Sequence, residues 1–85
     1  MANENSLPKI DFTTFILSVS SAAFMGLGFQ DQKIDLELAK QNIDLLELMW
    51  EKTKGNRTHE EEKLLEQLLF ETRMRFVDVQ KKGAK

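Results

Sequence analysis

The chain predicts an all-α fold: a three-helix antiparallel bundle that assembles into a homodimeric helical bundle. Three observations carry this expectation. Apolar residues recur at helical spacing in three separate segments. Each segment opens on a residue suited to capping a helix, and two of the three are stopped by glycine. No segment alternates in the manner of a strand, and nothing repeats internally.

The first helix covers about 12–27. Asp11 is its cap, and Gly26 and Gly28 end it. Phe12, Phe15, Ile16, Val19, Ala23 and Leu27 form its apolar face, with Leu17 and Phe24 as a smaller second ridge. Thr14, Ser18, Ala22 and Gly26 repeat every fourth residue, a row of small side chains on which another helix can approach closely. The hydroxyls of Ser18, Ser20 and Ser21 are placed to bond the carbonyls of the preceding turn. No residue from Phe12 through Gln30 is charged, so a membrane span is the minor alternative. Thr13, Thr14, Ser18, Ser20 and Ser21 dilute its hydropathy. Lys9 with Asp11 on one side and Asp31 with Lys33 on the other give no clear basic flank.

Gly28 to Ile34 reads as a short polar connection. Asp35 then caps a second helix over about 36–54, stopped by Gly55. Its main stripe is Leu36, Ala39, Ile43, Leu46 and Trp50, with a second ridge of Leu38, Leu45, Leu48 and Met49. Glu37, Lys40, Asp44, Glu47 and Glu51 fill the opposite arc and should face water. The third helix covers about 59–80. Thr58 and Glu61 have the spacing of a capping box, and Glu60, Glu61 and Glu62 sit at the positive end of the helix dipole. Leu64, Leu65, Leu68, Leu69, Thr72, Phe76 and Val79 form its main face. Phe70, Met74 and Val77 form a separate ridge. Short connections favour antiparallel neighbours.

Each helix of a monomeric three-helix bundle needs one apolar stripe, and here each carries two. Leaving a leucine or phenylalanine fully exposed forgoes about 1.5–3 kcal/mol of burial. The spare ridges therefore predict self-association, most simply a two-fold dimer, or a further protein partner. The candidate interface is Leu17, Phe24, Leu38, Leu45, Met49, Phe70, Met74 and Val77. Size points the same way, because so short a chain buries only about 60–65% of its unfolded surface. With no cysteine and one histidine, disulfides, thiolate sites and histidine-rich metal clusters are excluded, and association is the remaining source of added stability.

Residues 1–10, with Pro8, read as a flexible segment without the basic region of a secretory signal, and a cytoplasmic location is the expectation. Residues 11–80 form one helical domain, and 81–85 a flexible basic tail. Beyond Thr72, Arg73, Arg75, Lys81, Lys82 and Lys85 stand against Asp78 alone, as cations favoured at a helix C-terminus. The net charge of −2 counts against nucleic acid as a partner. Catalytic signals are weak. His59 lacks a nearby serine or cysteine nucleophile, and Glu47 with Glu51 lacks the Glu-x-x-His pairs of a di-iron bundle. No phosphate-cradling glycine motif occurs. No cofactor and no enzymatic activity are expected. Glu71 with Arg75 and Asp78 with Lys82 are spaced as ion pairs one turn apart.

Three runs resemble a family of small bacterial proteins, domain of unknown function 1844. They are Phe12-Thr13-Thr14-Phe15-Ile16-Leu17-Ser18; Asp35-Leu36-Glu37-Leu38-Ala39-Lys40 followed by Ile43-Asp44-Leu45-Leu46; and Glu51-Lys52-Thr53-Lys54-Gly55-Asn56 leading to Thr58 and Glu61-Glu62-Lys63-Leu64-Leu65. The resemblance covers the chain from about Asp11 to Val79. The chain departs from the family pattern in a shorter connection at Gly28 to Ile34, and at Trp50 and His59. The resemblance implies a helical bacterial protein and supplies no substrate, cofactor or catalytic residue.

The leading functional expectation is a non-enzymatic, self-associating interaction module. Peripheral lipid binding through helix 12–27 and the basic tail comes second. Nucleic-acid binding through Arg73, Arg75, Lys81 and Lys82 comes third.

Overall fold

The computed structural model describes residues 10–83. Its elements are α1 (Phe12–Gly26), a single hydrogen-bonded turn (Phe29–Asp31), α2 (Leu36–Lys52) and α3 (His59–Gly83). The architecture is the expected all-α antiparallel bundle, without strands among the described residues. Each helix packs on the other two, most extensively α1 on α2.

Local sequence sets where the helices begin. Asp11 Oδ1 accepts from the Thr14 amide at 2.8 Å, and Asp35 Oδ1 accepts from the Leu38 amide at 3.1 Å. At the start of α3 the bonds are reciprocal. The Thr58 amide donates to Glu61 Oε1 at 2.8 Å, and the Glu61 amide donates to Thr58 Oγ1 at 3.1 Å.

The ends differ from the sequence pattern by a few residues. α1 includes Gly26 as its last residue, with Leu27 as cap, and Gly28 follows in the left-handed region at φ 89°. α2 stops at Lys52 rather than near Lys54. Both the Thr53 amide and the Thr53 hydroxyl turn back onto the Met49 carbonyl, at 3.1 and 2.6 Å. α3 continues to Gly83, so Lys81 and Lys82 lie on the helix rather than in a flexible tail. Lys82 Nζ lies 3.4 Å from Asp78 Oδ2, one turn back. The expected flexible N-terminal segment falls outside the described residues except for Ile10, as do Ala84 and Lys85.

Ile16, Val19, Leu46, Met49, Leu65 and Leu69 form the central core. Phe12, Trp50, Leu64 and Leu68 pack against it half-buried. Two residues depart from their expected places. Phe15 is 47% exposed rather than part of the core face. At roughly 100° per residue it is turned off the buried arc of Ile16, Val19, Ala23 and Leu27. Ser20 occupies that arc instead, its hydroxyl donating to the Ile16 carbonyl at 2.8 Å. Met49, expected in a surface ridge, is a core residue at 8% exposure. It lies one turn beyond Leu46 and continues the buried line of Ala39, Ile43 and Leu46.

The α1–α2 corner is tight. The Asp35 amide donates to the Gly26 carbonyl at 2.7 Å, which brings the start of α2 onto the end of α1. A Cβ at Gly26 would lie 2.8 Å from both the Ala39 nitrogen and the Asp35 oxygen. Between the helices, Gln30 and Asp31 both have positive φ, 58° and 64°. This connection is therefore a specific left-handed turn, and it tilts the Phe29 ring against Phe24 at a centroid distance of 5.7 Å. The helix in the uncharged stretch has 15 residues, or about 22 Å at 1.5 Å per residue. Among the described residues no helix is long and apolar enough to cross a membrane.

Candidate functional site

α3 has two apolar sides. Leu65, Leu69 and Thr72 are buried against the other helices, and Phe76 and Val79 continue that side half-buried. Counting roughly 100° per residue puts Phe70, Met74 and Val77 on the far side of the helix. They are 63%, 58% and 52% exposed. In this fold the side of α3 that carries Leu65 and Leu69 is covered by α1 and α2, and the side that carries these three is open.

These three residues line an open groove of about 990 Å³ with Phe24 and Phe29. Leu69, Phe70 and Trp50 border a smaller depression beside it. The rim is charged. Arg73 pairs with Glu47 of α2, and the Arg75 guanidinium lies over the Phe29 ring at 5.9 Å. Glu71, expected to pair with Arg75, instead accepts from Gln67 Nε2 at 3.2 Å. Arg73 and Arg75 thus turn to a carboxylate and an aromatic neighbour on other elements. Glu47, half-buried, lies in this inter-helix ion pair rather than on the solvated arc.

Of the sequence-predicted interface residues, the groove brings together Phe24, Phe70, Met74 and Val77. Leu17 is exposed on α1, one heptad before Phe24, and does not line the groove. Leu38 and Leu45 are exposed on α2 with Leu48, also outside it, and Met49 is in the core. The four-residue repeat on α1 is divided. Gly26 is packed against α2, Ala22 is half-buried, and Thr14 and Ser18 are exposed.

Sequence reasoning missed Phe29 as a groove wall, because it sits in a connection outside any helical period. It also missed Arg57. That side chain is only 6% exposed. Its Nη1 donates to the Trp50 carbonyl at 2.6 Å and to Thr53 Oγ1 at 3.2 Å. The guanidinium lies 3.9 Å from the Trp50 ring centroid, and Nε is 3.4 Å from Glu62 Oε1. One residue thereby caps the end of α2, covers Trp50 and ties in the start of α3. A basic residue just past a helix C-terminus was the available signal.

Two surface groups have legible electrostatics. The backbone bond from Thr14 holds the Asp11 carboxyl below its ordinary value of 3.8. The hydrogen bond to Asp44, at 2.9 Å, raises the Lys40 ammonium above 10.5. Among the described residues no three histidine, aspartate or glutamate side chains converge as a metal site. His59 is exposed in the first turn of α3. What the groove offers is apolar contact area with charges at its edge.

No curated protein and no solved structure shows a significant match to the chain. The family model described as Domain of unknown function (DUF1844) matches residues 9–78, and the chain belongs to that family.

Proposed function

We propose that this protein is a non-enzymatic, self-associating helical module of the cytoplasm that acts through protein contacts. One observation carries the reading: folding leaves large apolar side chains exposed on every helix. Phe15, Leu17 and Met25 of α1, Leu38, Leu45 and Leu48 of α2, and Phe70, Met74 and Val77 of α3 all stay exposed. Scattered single exposures are ordinary, but Phe70, Met74 and Val77 form a contiguous stripe beside Phe24 and Phe29, and a stripe of that kind marks an interaction surface. A second copy supplies a matching apolar surface with no additional component. The test is the mass of the purified protein at micromolar concentration by sedimentation or light scattering. A dimer or larger species is expected, and a monomer overturns the reading.

Peripheral lipid association is the second reading, favoured by the three exposed apolar residues on an uncharged α1. Flotation with anionic vesicles separates the two, because a self-contained oligomer stays at the bottom of the gradient.

A further inference from the structure

We propose that two copies of the chain pair through the outer side of α3, antiparallel, about a two-fold axis passing between Arg73 and Met74. This rests on the self-association reading above and names its surface.

Two properties of α3 place the axis at points within two residues of one another. The first is the apolar stripe. Phe70, Met74 and Val77 span two turns of the outer side. At roughly 100° per residue Glu66 falls on that same side one turn before Phe70, and Lys81 one turn after Val77. Both are exposed, so the stripe is closed by an acid at one end and a base at the other. Its midpoint lies between Arg73 and Met74. The second property is the charge pattern of the whole helix. Glu60, Glu61, Glu62, Glu66 and Glu71 occupy the first half of α3, interrupted by Lys63. Arg73, Arg75, Lys81 and Lys82 occupy the second half, interrupted by Asp78. The change from acidic to basic falls between Glu71 and Arg73, within two residues of the midpoint of the stripe. Antiparallel pairing about that point sets the acidic half of each α3 against the basic half of the other, whereas a parallel pair would set like charges together.

The register follows. Residues equidistant from the midpoint lie level across the axis, so Phe70 of one copy meets Val77 of the other, and Glu66 meets Lys81. The two Met74 side chains sit beside the axis. Arg73 would otherwise approach its own symmetry mate there, but Glu47 draws it aside, as the Phe29 ring does Arg75. Phe24 and Phe29 form a wall against which the incoming helix rests. The contact is isologous, as a closed two-fold dimer requires.

The absence of cysteine makes the register directly measurable. In Met74→Cys, mild oxidation should give a disulfide-linked dimer in high yield, whereas Leu45→Cys should give little. Glu66→Lys and Lys81→Glu should each weaken self-association roughly tenfold, because each places like charges together twice across the axis. The double variant, Glu66→Lys with Lys81→Glu, should regain affinity, with circular dichroism confirming unchanged helix content in each protein. A dimeric wild type whose Leu45→Cys variant cross-links while Met74→Cys does not overturns this surface but leaves self-association standing. Failure of the double variant to recover overturns the register. A monomeric wild type overturns both.

Discussion

Gly26 has less room than Gly28 or Gly55, since a methyl there would meet two backbone atoms of the α1–α2 corner at 2.8 Å. Backbone atoms cannot swing aside as a flexible side chain would. Gly26→Ala should therefore cost about 1–3 kcal/mol in urea denaturation, despite alanine's better helix propensity. Asp11 gives the pH dependence of α1. Its carboxyl is held below 3.8 by the Thr14 amide. The unfolded chain therefore takes up the proton first as pH falls. The stabilisation is fully present above the unfolded value and is lost as pH drops through the lower folded value. Helix content followed by circular dichroism should decline below pH 3.8, and Asp11→Asn, which keeps an acceptor but cannot titrate, should flatten that decline. At this scale the sequence was informative wherever the partner is local. Asp11, Asp35 and Thr58 each bond an amide three residues ahead, so spacing alone revealed them. Arg57 escaped because its acceptor on Trp50 is seven residues back, across a turn whose path the sequence did not show.

The α2–α3 corner is built on that arginine. Arg57→Lys keeps the charge but loses the planar group that stacks on Trp50 while bonding its carbonyl. It should lower stability by about 1–2 kcal/mol, on the scale of a lost charged hydrogen bond. It should also shift the emission of Trp50, the chain's one tryptophan, to the red as water reaches the ring. Helix existence and order were legible because periodicity and caps agree in all three segments. The helix ends were less so, for identifiable reasons. Thr53 folds its own hydroxyl onto the Met49 carbonyl and closes α2 before Gly55 is reached. α3 outlasts its last apolar residue, Val79, and the Asp78–Lys82 pair spans its final turn. The left-handed pair Gln30 and Asp31 was not legible, since neither is glycine and aspartate alone is only a weak sign of positive φ.

For the molecule as a whole, periodicity shows which residues share a face but not how wide an arc the neighbours cover. That is why Met49 passed from ridge to core and Phe15 from core to surface. Phe70, Met74 and Val77 escaped this ambiguity because they lie across the helix from Leu65 and Leu69, on the side that α1 and α2 leave open. If copies of the chain cover these ridges, the folded state gains from mass action, and the melting temperature should rise with protein concentration. A concentration-independent transition in differential scanning calorimetry would contradict that. α3, at 25 residues, is longer than α2 at 17, and Thr72 is the last buried residue among those of α3 whose burial is described. From Arg73 to Lys82 no side chain is fully buried. In a lone copy these last turns are held by half-buried Phe76 and Val79 and by the surface contacts of Arg73 and Arg75, and should open without the bundle opening. Their amides should exchange with deuterium far faster than those before Thr72, with a step at that residue. When copies meet, the step should fade, so that the final turns of α3 become a local gauge of whether the molecule is alone.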